Sequence, residues 1–170
     1  MALLSDFDQE VSNMNGNRVV AMHLIGSHGP TYFQRYPKEK AFFQPDCPRA
    51  DIENCSVEEI VNTYDNTIRY TDFVLEQTIN KLKTLEDKYN TALIYVSDHG
   101  ESLGESGMFL HGMPYGLAPD FQNEYRLSCG CRQALSKQNT STRIACPKKH
   151  KMQVSTRMTM CSTLCLVLWM

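Results

Sequence analysis

The stretch Thr91-Ala92-Leu93-Ile94-Tyr95-Val96-Ser97-Asp98-His99-Gly100-Glu101-Ser102 decides the fold class of this chain. Its first six residues form a short run with apolar side chains on both faces, which predicts a strand buried in a parallel sheet. The chain then turns polar, and in open α/β sheets ligands bind outside the carboxyl ends of the strands. Asp98 and His99 therefore stand where a ligand site belongs. A carboxylate oxygen and an imidazole nitrogen at that point suit Zn²⁺ and leave positions open for substrate. Gly100 lets the backbone turn sharply enough for neighbouring side chains to converge. Taken alone, an Asp-His-Gly triplet is more often the signature of an ordinary polar turn.

Upstream of this strand lies the clearest helix signal. Ser56-Val57-Glu58-Glu59 has the hydroxyl and carboxylate spacing of a capping box. Val57, Ile60, Val61, Tyr64, Ile68, Thr71, Leu75, Ile79 and Leu82 follow at steps of three and four, which predicts one buried stripe and a helix to about Lys83 or Leu85. Further back, Val19-Val20-Ala21-Met22-His23-Leu24-Ile25 reads as a second buried strand, ending in the turn Gly26-Ser27-His28-Gly29-Pro30. Strand, long helix, strand is the repeating unit of an α/β fold. Residues 31–54, flanked and interrupted by Pro30, Pro37, Pro45 and Pro48, read as a long irregular connection of the kind that is usually functional. Cys47 and Cys55 bracket a short polar loop at its end; spacing alone fits a bracing disulfide and two separate thiols equally well.

Three of the five histidines, His28, His99 and His111, are each followed by glycine. His28 and His99 each follow a predicted strand, so both open onto one edge of the sheet, and His111 lies on the loop beyond. Imidazoles on permissive backbone are what a metal or phosphate site needs.

The bulk numbers divide the chain. Of its 170 residues, 1–122 carry 18 acidic and 9 basic side chains, whereas 123–170 carry 1 and 8, together with five of the seven cysteines. Two independent measures changing together imply segments of different origin. The amino terminus has neither the basic start nor the apolar stretch of a secretory signal. The longest apolar-leaning run, Cys161 to Met170, is shorter than the roughly 20 residues a membrane span requires.

Four segments together carry a family resemblance: His23-Leu24-Ile25-Gly26-Ser27-His28-Gly29-Pro30-Thr31-Tyr32, Tyr64-Asp65-Asn66-Thr67, Ser97-Asp98-His99-Gly100-Glu101-Ser102-Leu103-Gly104-Glu105 and Leu110-His111-Gly112-Met113-Pro114-Tyr115. In order and spacing, from about Asn17 to Gln122, the chain resembles the lipid A phosphoethanolamine transferases, which include the colistin-resistance enzymes and belong to the alkaline phosphatase and sulfatase superfamily. The resemblance implies a three-layer α/β domain, anchored in the inner membrane and facing the periplasm. It also implies transfer of phosphoethanolamine from phosphatidylethanolamine to lipid A through a phosphothreonine. By the same resemblance Asp98 and His99 bind zinc, His28 and His111 bind the phosphoryl group or a second zinc, and Cys47 and Cys55 form a disulfide. The alternatives are a sulfatase or phosphodiesterase hydrolase of the superfamily, and a non-catalytic fragment.

The departures from the family lie at the two ends. The family's nucleophilic threonine, one glutamate zinc ligand and its membrane helices all precede the matched region. Thr31 and Thr63 lack the nucleophile's context, so the expectation is a domain truncated at both ends and inactive as given. After Gln122, Asn123-Glu124-Tyr125-Arg126-Leu127-Ser128-Cys129-Gly130-Cys131 shows no strand or helix period. Codons exist for these residues whose third-base frame reads Arg-Val-Pro-Ile-Val-Val-Trp-Met, an apolar strand. A reading-frame slip near Asn123 is therefore expected, with 123–170 a poorly ordered tail beside a partial catalytic domain at 1–122. The competing readings of the tail are weaker. Cys129-Gly130-Cys131 and Cys161-Ser162-Thr163-Leu164-Cys165 lack regular zinc-knot spacing, and the basic residues lack the interleaved aromatics of a nucleic-acid arm.

Overall fold

Ser56 starts the longest element as its sequence requires. Its Oγ accepts from Glu59 N at 3.2 Å while Glu59 Oε2 accepts from Ser56 N at 2.7 Å, so two donors that a helix start leaves orphaned are satisfied reciprocally. In the computed structural model, which describes residues 4–114, 116–123, 126–131 and 164–169, this helix is α2. The elements are α1 (Phe7–Asn13), β1 (Val19–Leu24), α2 (Val57–Lys83), β2 (Ala92–Ser97), β3 (Ser102–Leu103), β4 (Phe109–Leu110), α3 (Asp120–Asn123), β5 (Arg126–Cys131) and β6 (Leu164–Trp169).

The main sheet has the order β1-β6-β2-β5, and a two-stranded hairpin joins β3 to β4. Both β1 and β2 pair antiparallel with β6 between them. They therefore run parallel to each other, joined by α2 as a crossover, and their carboxyl ends open on the same edge.

The α/β class holds, with four corrections of detail. Hydrogen-bonded neighbours in the sheet are antiparallel, not parallel. Among the described residues α1 and α2 pack on one face, since Phe7 and Val11 of α1, Val20 and Met22 of β1, Leu82 of α2 and Leu93 of β2 form one buried cluster. Strand β1 accordingly alternates exposed and buried along its length, and Ile94 of β2 is 37% exposed rather than covered on both sides.

The buried face of α2 is also rotated from the expected stripe. Val57 and Ile79 are 61% and 41% exposed, whereas Thr63, Thr67 and Thr78, outside the expected stripe, are buried. Threonine can face a core inside a helix because its hydroxyl bonds backward to the helix's own carbonyls. Thr63 Oγ1 donates to Glu59 O at 2.6 Å and Thr78 Oγ1 to Val74 O at 2.9 Å, which leaves each methyl group for packing.

Helix α1, absent from the sequence reading, is held from outside. Arg18 caps its end by donating to Val11 O at 2.9 Å, Met14 O at 2.6 Å and Gly16 O at 3.1 Å, and its guanidinium lies over the Tyr89 ring. In the region beyond Gln122, Arg126–Cys131, where no strand period was legible, and Leu164–Trp169, within the apolar-leaning run Cys161 to Met170, are strands, each paired with β2 over six residues. For Arg126–Cys131, pairing to an apolar neighbour supplies what its own pattern lacks. Residues 132–163, with the tail expectation made for them and the Cys161 end of the zinc-knot reading, lie outside the described residues.

The connection 31–54 is built of three short 3-10 turns, at Tyr32–Gln34, Lys38–Lys40 and Ile52–Asn54. Asn66 of α2 pins it. Its Oδ1 accepts from Phe42 N and Phe43 N at 2.8 and 2.9 Å, and its Nδ2 donates to Phe43 O at 2.9 Å. Cys47 and Cys55 are bonded to each other at its end. Among the described residues no helix is long and apolar enough to cross a membrane.

Candidate active site

The loops leaving β1 and β2 deliver His28 and His99 to one edge of the sheet, and the β3–β4 hairpin delivers the rest. In that hairpin Ser102 is registered opposite Leu110, so the residues immediately outside the pair, Glu101 and His111, meet. His111 Nδ1 lies 3.2 Å from Glu101 Oε1. Buried Gln122 stitches the hairpin by donating from Nε2 to Ser102 Oγ at 2.6 Å and Leu110 O at 3.1 Å. Leu110 has a φ of +65°. A branched apolar residue in that region is strained, and the strain sits one residue before His111.

The three imidazoles converge. Ring centroids are 4.8 Å apart for His28 and His111, 4.2 Å for His99 and His111, and 6.3 Å for His28 and His99. In each ring Nδ1 faces an acceptor: Gly29 O at 2.7 Å for His28, Gly100 O at 2.9 Å for His99, and Glu101 Oε1 for His111. A carbonyl or carboxylate only accepts, so Nδ1 carries the proton in all three and Nε2 is the acceptor of the neutral ring. That arrangement presents imidazole nitrogens to an electrophile or a metal.

Glu101 is the residue the sequence reading passed over. It is 1% exposed, and a buried carboxylate is tolerated only where donors surround it. Gly29 N donates to its two oxygens at 3.0 and 3.2 Å, and the Tyr32 hydroxyl donates to Oε2. Burial, and then the Glu101 charge, push the Tyr32 hydroxyl pKa far above its ordinary value, so it stays a neutral donor. Gly29 must lack a side chain, because a Cβ there would come within 2.7 Å of Tyr32 Cζ and Oη and collide with Leu110. The signal in the sequence was the acid itself, one residue before β3.

The turn that carries His28 is tied to α2 and to the connection. Ser27 Oγ lies 2.6 Å from Thr67 Oγ1, and Arg35 Nε donates to His28 O at 3.1 Å. Asp98 is exposed at the rim, where its Oδ1 accepts from His99 N at 3.0 Å. The structure thus brings His28, His99 and His111 together and adds Glu101. Among the described residues, the group whose donor atoms all lie within 4.8 Å of one another is His28, Glu101 and His111. The imidazole nitrogens of this group fit a zinc ion, and a carboxylate stands within reach of them.

An α/β sheet with a histidine-rich edge of this design defines a class: the chain belongs to the sulfatase family, whose model matches residues 1–125. Among curated proteins it is similar to phosphoethanolamine transferase EptA of Salmonella typhimurium, 49% identical over 120 residues that make up 71% of this chain and 22% of that protein. It is also similar to phosphatidylethanolamine transferase Mcr-2 of Escherichia coli, 43% identical over 72% of this chain and 23% of that one. The soluble domain of lipooligosaccharide phosphoethanolamine transferase A from Neisseria meningitidis superimposes with a TM-score of 0.72 at 41% identity, over 79% of this chain and 40% of that domain. The chain spans about a fifth of the length of the curated relatives it matches.

Proposed function

We propose that residues 1–122 form the metal- and phosphoryl-binding part of a zinc-dependent phosphoethanolamine transferase, acting in the periplasm on phosphatidylethanolamine and lipid A. The observation that carries this is the convergence of three imidazoles, each anchored at Nδ1, at one sheet edge beside a buried carboxylate. Asp98 and His99 hold zinc, and His28 and His111 hold the phosphoryl group or a second ion. Bound zinc lowers the pKa of an attacking hydroxyl and neutralises charge building on phosphoryl oxygens. With Nδ1 committed to a protein acceptor, His28 and His111 offer Nε2 to the ligand. No residue of this chain is proposed as the nucleophile.

The family model favours one second reading, a hydrolase of sulfate or phosphate esters, because its description is sulfatase. That model stops at residue 125, which supports the proposal that 123–170 arise from a reading-frame slip; the coding DNA decides it.

The test of function uses the whole chain, purified and dialysed against zinc-free buffer. Retained zinc, with His28 and His111 ring signals shifting on titration of phosphoethanolamine, is the expected result. A chain that keeps no zinc and shows no shift ends the proposal. Shifts with a sulfate ester and none with phosphoethanolamine transfer the assignment to the hydrolase.

A further inference from the structure

We infer that Tyr32 is a positioning residue for His111, acting through Glu101, and that Glu101 aims the imidazole instead of binding the metal itself. The inference rests on the proposed site only for the use to which His111 is put; the geometry is independent of it.

A carboxylate rotates readily about its last torsion, which is broad and two-fold. A partial rotation would carry both oxygens of Glu101 out of line with His111 Nδ1. Tyr32 prevents this because its hydroxyl is bound to Oε2, which leaves Oε1 to Gly29 N and His111 Nδ1. Tyr32 is itself held. It is 1% exposed, and its ring meets Tyr64 of α2 edge-on with centroids 5.4 Å apart. It belongs to the cluster of Ile60 and Cys47, which Leu110 joins from the hairpin. The chain of contacts therefore runs from α2 to Tyr32, to Glu101, to His111 Nδ1. Its result is that His111 Nε2 is the ring's acceptor, on a ring packed against His99 and His28. Both Glu101 oxygens are occupied by protein donors, which is the position of a group that orients a ligand.

Tyr32→Phe removes only the hydroxyl and keeps the ring. In the metal-free chain, long-range proton–nitrogen spectra are expected to show His111 as the Nδ1–H tautomer. In Tyr32→Phe they are expected to show a mixture of tautomers at His111, with His28 and His99 unchanged. Zinc affinity, measured by competition with a chromophoric chelator, is expected to fall about tenfold or more, the range for loss of a group that orients a metal ligand. An unchanged His111 tautomer overturns the inference. So does unchanged or tighter zinc binding, because a Glu101 that ligates directly would gain a free oxygen from the substitution. If the variant does not fold, the unaltered chain decides: the Tyr32 hydroxyl proton is expected as a slowly exchanging downfield signal, and its absence overturns the assignment. The tautomer readout needs neither zinc nor transfer activity, so a failure here is distinguishable from a failure of the proposed function.

Discussion

A buried carboxylate and a glycine without room for a methyl group determine the chemistry at the residue scale. Glu101 accepts from a backbone amide, a phenol and an imidazole, and Gly29 supplies that amide from a position pressed against Tyr32 and Leu110. Overpacking such a contact costs about 1–3 kcal/mol, so Gly29→Ala is expected to lower unfolding stability by about that amount in urea titration and to broaden the His28 and His111 ring signals. A variant with an unchanged urea midpoint and unchanged ring signals would show that the Gly29 contact is loose. The loop positions that bring His28, His99 and His111 together were legible because histidine followed by glycine is a local pattern. Glu101 was not, since nothing near it in the chain announces that its partners are Tyr32 and Gly29, the latter 72 residues away.

At the scale of elements, α2 is the scaffold on which the site loops hang. Through Asn66 it holds the aromatic turn; through Thr67 it meets the Ser27 turn; and Thr63 Oγ1 lies 2.6 Å from Cys47 N. Ser56→Ala removes the reciprocal cap and is expected to cost about 1 kcal/mol, read as a lower urea midpoint with an unchanged slope; no shift in midpoint would mean that another group caps the helix. The start of α2 was readable because a capping box is complete within four residues. The buried face was not readable from residue type. Threonine counts as polar in a pattern, yet here it lines the core with its hydroxyl returned to its own helix. The short helix α1 was missed for a related reason. Seven residues are too few to be stable alone, and it exists because Phe7 and Val11 reach a core made by other elements.

For the molecule as a whole, β1 ends the sheet order among the described residues, and Val19 on it is 51% exposed. An edge strand with apolar residues and no inserted charge is a template for pairing with another chain. Val19→Lys is therefore expected to lower the apparent mass of the purified chain in light scattering while leaving its thermal midpoint unchanged; an unchanged mass distribution would remove the edge as the cause of association. By itself the sequence determined the cap and length of α2, the two strands that flank it, and the loops on which the histidines sit. These follow from periods and hydrogen bonds completed within one or two turns of chain. Tertiary structure alone decided that β6 lies between β1 and β2, that threonines face the core, and that Glu101 is buried against His111. Each of those outcomes depends on segments far apart in the chain, and desolvation is settled by whichever segment arrives to cover a group.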